Sequence, residues 1–135
     1  MSIEISPEFL ERIRNAYYVW FTTVREDGMP QPTPVWFIWE NGTFLIYSMP
    51  GAQKVRNIRK NPKVALGYSA SDDAEDYVVI MGEAKIEEGA PLANQVPAYQ
   101  EKYADGIKDI GMTPESMGQT FSTAIRVTPT HVRGE

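Results

Sequence analysis

The alternation of apolar and polar residues predicts a chain that is mainly β, with a few short helices. Runs rich in aromatic and β-branched residues recur along the chain, and most of them end at a turn signal. The six predicted strands cover residues 17–25, 32–40, 43–48, 63–69, 76–87 and 123–129. The Asn41-Gly42 step between the second and third strands is the strongest short hairpin signal. Because most neighbouring strands are joined by short connections, we expect an antiparallel sheet that closes, fully or partly, into a β-barrel.

Four short helical segments are predicted around these strands. The Ser-Pro-Glu motif of residues 6–8 combines a side-chain cap, a fixed first position and an acid in the first turn. A helix of about two or three turns begins after residues 50–51 and ends at the Asn-Pro pair of residues 61–62, because the residue before a proline disfavours helical geometry. Two further helical segments cover residues 92–103 and 114–118.

Length and composition limit the possible functions. With 135 residues the chain has the size of one domain, and we expect residues 1–135 to form a single domain. A formal net charge of -5 disfavours general binding to nucleic acid or to anionic membranes, since both attract basic proteins. The absence of cysteine excludes disulfides, thiolate metal ligands and a cysteine nucleophile, and no metal site is predicted. Without an apolar leader or a run of about 18 apolar residues, we expect a cytoplasmic protein.

A basic segment interrupts this acidic sequence. Residues 41–71 contain no Asp or Glu. Within this range the second helix and the residues after it carry Lys54, Arg56, Arg59, Lys60 and Lys63. For Arg56, Lys60 and Lys63 a solvated helix face is the simpler interpretation, with Val55 and Ile58 forming the buried stripe.

Lys54 differs from these cations because it lies in the first turn of the helix. A cation there opposes the positive end of the helix dipole, at a cost of about 0.3–1 kcal/mol for an exposed site. An anion bound to the free N–H groups of Gly51 to Gln53 would reverse the sign of this interaction. We therefore predict an anion site at this helix start, with phosphate as the first candidate.

Three alternating prolines precede the hairpin. Pro30, Pro32 and Pro34 remove backbone donors from one edge of their strand, so that edge cannot be fully hydrogen-bonded. A plain edge strand protected from edge-to-edge pairing is the simpler interpretation. The alternative is that this segment leaves polar groups free for a planar heterocycle, and the residues concerned are Thr33, Val35 and Trp36.

The coupled motifs of residues 22–68 resemble the core of the pyridoxamine-phosphate-oxidase-like split-barrel superfamily. The resemblance rests on DGMPQPTPVWF, on the hairpin, on IYS at a strand end and on GAQKVRNIRKNPKV, and the final IRVTPTHV is similar to the family's last strand. The resemblance implies a six-stranded antiparallel split β-barrel of the FMN-binding type. It also implies a homodimer with the cofactor, FMN or the deazaflavin coenzyme F420, at the subunit interface.

The resemblance also implies roles for individual residues. Lys54, with Gln53 and the amides before it, would hold the cofactor phosphate, and Asn57 would support them from the helix. Tyr47 and Ser48 would add contacts from a strand end, and Met49 could wall an apolar pocket. The candidate cofactor-binding residues are Thr33, Pro34, Val35, Trp36, Tyr47, Ser48, Met49, Gln53, Lys54 and Asn57. No catalytic residue is assigned.

Three classes of function follow from these observations. We favour a reductase that passes hydride between F420 or FMN and a small conjugated acceptor such as a quinone or enone. A non-catalytic flavin- or haem-related binding protein on the same barrel is the alternative, and a nucleic-acid binder is disfavoured by the acidic balance. Gln53 stands where many FMN binders have Arg, and the Arg-containing segment of pyridoxamine phosphate oxidisers is not found after the last strand. Both differences favour F420.

Overall fold

The computed structural model describes residues 3–134, and its main feature is one curled antiparallel sheet. The strands are β1 Val19–Val24, β2 Pro30–Val35, β3 Ile38–Glu40, β4 Thr43–Ser48, β5 Lys63–Ser69, β6 Tyr77–Ile86 and β7 Thr123–Gly134. The helices are α1 Pro7–Arg14, α2 Gln53–Lys60, α3 Pro97–Asp109 and α4 Pro114–Thr120, with a 3₁₀ turn at Ala93–Gln95. No helix in this described range is long and apolar enough to cross a membrane.

The strand order explains why the sheet must curl. The seven strands are arranged as β2-β1-β5-β6-β7-β4-β3, so β2 and β3 form its two edges. In the sequence these two edge strands are separated only by Trp36 and Phe37. The three peptide steps from Val35 to Ile38 span at most about 11 Å, so the two edges must approach each other. We call the link formed by Trp36 and Phe37 the seam of the barrel.

The seam corrects one strand prediction. The segment 32–40 is not a single strand but is divided between β2 and β3, so the sheet has seven strands rather than six. At the break, the Phe37 N–H donates to the Tyr103 hydroxyl at 2.8 Å, and the Phe37 carbonyl accepts from Lys102 Nζ at 3.0 Å. Side chains of α3 thus replace a neighbouring strand. The predicted mainly β fold with several short helices is confirmed.

Two element boundaries also differ from the sequence predictions. The segment predicted as helical over 92–103 is a 3₁₀ turn followed by α3, which begins at Pro97, a residue favoured at a first helical position, and runs to Asp109. Strand β7 continues to Gly134, beyond Pro129 where the predicted strand ends, although proline lacks an N–H. A register irregularity next to Gly82, opposite Pro129, accommodates the missing donor.

Strand β4 is buried on both of its faces. Its alternate side chains enter two different apolar clusters, one with Phe44 and Ile46 and the other with Leu45 and Tyr47. The first cluster lies under α1 and α2, whose buried residues include Ile13, Val55 and Ile58. The second is formed with α3 and α4, through Tyr99, Tyr103, Ile107 and Met117. This two-sided burial explains why TFLIYS is apolar almost throughout rather than alternating.

An ion-pair cluster fastens β7 to its neighbours. The Arg126 guanidinium donates to both carboxylate oxygens of Glu87, at 2.8 and 3.0 Å, and to Glu40 at 2.8 Å. Glu40 ends β3, and Glu87 follows β6. The hydrogen bonds and charge of Arg126 hold the pKa of Glu87 below its ordinary value.

This cluster predicts a specific acid sensitivity. A carboxyl with a depressed folded pKa stabilises the fold fully above its ordinary pKa of 4.5, and this stabilisation is lost as the pH falls through the folded value. We expect Glu87→Gln to lower the free energy of unfolding at neutral pH by about 1 kcal/mol. We also expect its unfolding free energy to fall less steeply than that of the wild type below about pH 4.5.

Denaturant unfolding at several pH values measures both effects. Glu88→Gln is the matched control, because Glu88 is 82% exposed and lies 3.7 Å from its cation, Arg59. Identical pH profiles for wild type and Glu87→Gln would contradict the assignment.

Candidate functional site

A cavity of about 240 Å³ lies where the seam, the end of β4 and the start of α2 meet. Antiparallel pairing with β7 places the end of β4 beside α3 and α4, which close the far side. The cavity is lined by Pro34, Val35, Trp36, Tyr47, Ser48, Met49, Ala52, Lys54, Tyr99, Ile110, Met117 and Phe121. Of these side chains only Lys54 carries a charge, so the cavity is an apolar space with a cation at one point of its wall.

A second, polar cavity of about 190 Å³ lies between β1, β2 and α2. It is lined by Thr23, Gln31, Pro32, Thr33, Gln53 and Lys54. Lys54 lines both cavities, so this residue lies where the apolar and the polar space meet.

Lys54 is a half-buried cation in the wall of both cavities. In the range 3–134 no carboxylate forms an ion pair with its Nζ. Burial lowers the pKa of the Lys54 ammonium, because desolvation penalises its charged form. An anion placed beside it would offset that cost.

The start of α2 has the same electrostatic character. Ala52 at the N-cap position provides no side-chain hydrogen bond, and the first turn contains no acidic residue. The prediction that all amides from Gly51 to Gln53 are free is wrong for Ala52, whose N–H donates to the Met49 carbonyl at 3.1 Å. The first-turn amides of the helix itself remain without a side-chain cap, which leaves a positive helix end beside Lys54.

The other cations of α2 have partners within the protein. Arg56 donates to the Gly51 carbonyl and to Gln53 Oε1, each at 2.6 Å. Lys60 lies 3.3 Å from Glu26, and Arg59 lies 3.7 Å from Glu88. All three cations are exposed, as a solvated helix face requires.

Asn57 lies behind the polar cavity and forms hydrogen bonds with three of the side chains that line it. Its side chain is 3% exposed, and its Nδ2 donates to Thr23 Oγ1 at 2.9 Å and to Gln31 Oε1 at 3.0 Å. Its Oδ1 accepts from Gln53 Nε2 at 2.8 Å. Since Gln53 Oε1 already accepts from Arg56, the Gln53 amide is held in place and keeps one N–H for a ligand.

Aromatic rings form much of the apolar wall. The Trp36 ring stacks on Tyr103 at 4.5 Å between centroids and 5° between planes. Tyr99 meets Tyr47 edge-on at 5.2 Å, and the Tyr47 hydroxyl donates to the Pro91 carbonyl at 2.6 Å. Burial raises the pKa of Tyr47 to about 12, so this hydroxyl is protonated at neutral pH.

Nine of the ten candidate cofactor-binding residues line one of the two cavities, and the tenth, Asn57, lies behind the polar one. Eight residues that line the two cavities were not among the ten candidates: Thr23, Gln31, Pro32, Ala52, Tyr99, Ile110, Met117 and Phe121. Four of these come from α3, α4 and the residues beside them, which no sequence motif connected to the site. The spacing of apolar residues in those helices indicates that they pack against the protein, but it does not indicate that they line a cavity. No cluster of three potential metal ligands occurs within residues 3–134.

Comparison with protein families identifies the chain. The family described as pyridoxamine 5'-phosphate oxidase matches residues 5–134. The chain belongs to this family. The match covers both edges of the sheet, the helix that carries Lys54 and the last strand. No curated protein matches the sequence.

Solved structures share the fold of this pyridoxamine 5'-phosphate oxidase family member. An F420 reductase is 24% identical, with a TM-score of 0.74, covering 98% of this chain and 100% of its own. A conserved hypothetical protein from Mycobacterium tuberculosis is 20% identical, with a TM-score of 0.78, covering 98% and 84%. The haem storage protein HutZ from Vibrio cholerae is 16% identical, with a TM-score of 0.65, covering 98% and 95%.

Proposed function

We propose that the chain is an oxidoreductase that transfers hydride between bound F420 or FMN and a small conjugated acceptor such as a quinone or enone. The observation that carries this proposal is the position of Lys54. It is a half-buried cation without an acidic partner in the described chain, at an uncapped helix start, between an apolar and a polar cavity. Such a junction suits a ligand with a planar ring at one end and a phosphate at the other.

The residues present fit such a cofactor. Lys54 and the first-turn amides of α2 would hold the phosphate, with the remaining Gln53 N–H as a neutral donor. Trp36, Tyr47 and Met49 would enclose the ring system, and Ser48 and Thr33 would supply hydroxyls at its border.

The bound cofactor would supply the hydride chemistry, and the protein would bind it, orient it and exclude water. The apolar lining beyond Lys54 performs the last task, because Tyr99, Met117 and Phe121 offer no charge that would retain solvent. An acceptor stacked there would need to be small and uncharged. We assign no proton donor, since the hydroxyl of Tyr47 is committed to the Pro91 carbonyl.

F420 is the cofactor that we favour. Gln53 provides one neutral donor where an arginine would provide a charge and several donors. The family name and the F420 reductase of the same fold are compatible with either cofactor.

A non-catalytic flavin- or haem-related binding protein is the second candidate, because a haem storage protein has the same fold. The sequence contains one histidine, His131, and it is exposed on β7 and lines neither cavity. Neither cavity therefore has a histidine in its lining that could ligate haem iron. Within this second candidate, a flavin-binding protein without catalytic activity is therefore better supported than a haem-binding one.

We also propose a homodimer with the cofactor at the subunit interface. Trp20 is 51% exposed on the outer face of β1, and across the ladder it faces Pro34, which lines the apolar cavity. Met49 and Ile110, at the cavity itself, are 49% and 53% exposed. A second copy covering these apolar side chains would also cover the open side of the cavity.

Cofactor titration followed by turnover tests the function. We expect purified protein to bind F420 more tightly than FMN and to reduce a quinone or enone when supplied with the reduced cofactor. Tighter binding of FMN by tenfold or more, about 1.4 kcal/mol, would reverse the order of the cofactors. Binding without turnover over a panel of such acceptors would favour the carrier.

A paired substitution tests the phosphate site. Lys54→Ala removes the half-buried cation, and we expect cofactor binding to weaken by about 1.5–3 kcal/mol, the range for hydrogen bonds to charged groups. Lys60→Ala removes an exposed cation of the same helix, and we expect little change in affinity and mainly a salt-sensitive change in association rate. Titrations at low and moderate salt measure both. Equal losses in the two variants would indicate a diffuse basic patch instead.

Light scattering at micromolar concentration tests the assembly. We expect the cofactor-bound protein to have the mass of a dimer, and Trp20→Glu to shift it toward monomer because the substitution places a charge on the apolar face. A monomeric wild type that still holds cofactor would contradict the proposed interface.

A further inference from the structure

We propose that Tyr103 is a positioning residue for cofactor binding: it fixes the seam of the barrel so that Trp36 forms the cavity wall. The inference rests on the proposed function for the identity of the ligand. It goes beyond that function because Tyr103 lies on α3, outside the motifs that carry the family resemblance, and does not itself line either cavity.

The Tyr103 hydroxyl closes the seam through the backbone. It accepts from the Phe37 N–H at 2.8 Å and lies 2.9 Å from the Phe37 carbonyl and 2.7 Å from the Tyr17 carbonyl, between which its own proton is shared. One hydroxyl thus serves both polar groups of Phe37 and a residue of the segment before β1. Tyr103 is fully buried, so water cannot take over these hydrogen bonds.

The Tyr103 ring holds the other residue of the seam. It stacks on Trp36, and Tyr17 packs edge-on against both rings, at 5.0 Å from Tyr103 and 5.8 Å from Trp36. Gly106 lies one turn further along the same face of α3. A Cβ at Gly106 would collide with the Tyr17 hydroxyl and approach the Trp36 ring to 3.1 Å. The absence of a side chain at Gly106 therefore leaves room on α3 for Tyr17 and Trp36.

The seam has few other supports. The ladder between β1 and β2 ends at Val35, and the ladder between β3 and β4 begins at Ile38. Between these ladders, contacts with α3 replace strand pairing. Because Pro34, Val35 and Trp36 line the cavity immediately before Phe37, a shift of the Phe37 backbone would move the cavity wall itself.

Tyr103→Phe tests this role, since it removes the hydroxyl and retains the stacked ring. We expect the affinity for F420 and for FMN, measured by fluorescence titration, to fall about tenfold. We also expect hydrogen exchange of the Phe37 amide to become at least about tenfold faster in the cofactor-free protein, while the amide of Ile46 in the core is unchanged. Tyr68→Phe is the matched control, because Tyr68 lies on β5 and lines neither cavity.

The outcomes separate the two proposals. A wild type that binds neither cofactor would refute the proposed function. A wild type that binds, together with unchanged affinity in Tyr103→Phe, would refute the positioning role alone, even if Phe37 exchange accelerates. If Tyr103→Phe does not fold, the wild type provides the test. We expect bound cofactor to slow hydrogen exchange of the Phe37 amide, which donates to the Tyr103 hydroxyl, at least about tenfold more than that of the Ile46 amide. Cofactor binding without this added protection of the Phe37 amide would refute the role.

Discussion

The short link between the two edges of the sheet is the constraint on which the rest of this structure depends. Edge strands usually lie far apart, and here two residues connect them. A connection of that length forces the sheet to curl until its edges nearly meet. The two edges do not pair through a regular ladder, because β2 carries alternating prolines and neither neighbouring ladder includes Trp36 or Phe37. A helix from a distant part of the sequence therefore supplies the missing hydrogen bonds, through Tyr103 and Lys102.

The candidate site is a direct result of this incomplete closure. A sheet that paired around its full circumference would fill the space beside the seam with side chains. Here the strands separate, and the ends of β2 and β4 with the start of α2 border a cavity instead. The α2 start brings a positive helix end to that opening, and the network around Asn57 fixes the helix to β1 and β2. Lys54 therefore lies both at the opening left by the incomplete barrel and at the proposed phosphate site.

Much of the fold could be predicted because its determinants are local. The Asn41-Gly42 turn has positive φ angles of 53° and 75°, which those two residue types tolerate best, and the hairpin lies where the sequence placed it. The helix that carries Lys54 also lies where the sequence predicts it, between the Pro-Gly pair of residues 50–51 and the Asn-Pro pair of residues 61–62. The seam could not be predicted in this way. Its key hydrogen bond joins Phe37 to Tyr103, 66 positions apart, and no periodicity in either segment records that contact. Ile110, Met117 and Phe121 were not predicted for the same reason, because their place in the cavity wall depends on how α3 and α4 pack against the sheet.

The position of β7 has a consequence for how the chain reaches its native state during synthesis. This strand is the last of the seven in the sequence, yet it lies inside the sheet, between β6 and β4. Until it has been made, the β3–β4 hairpin has no strand that connects it to β6. The nascent chain can therefore build the β1–β2–β5–β6 part but cannot close its core. The sheet is therefore completed only once residues 123–134 have been synthesised, and long-range pairing of this kind folds slowly.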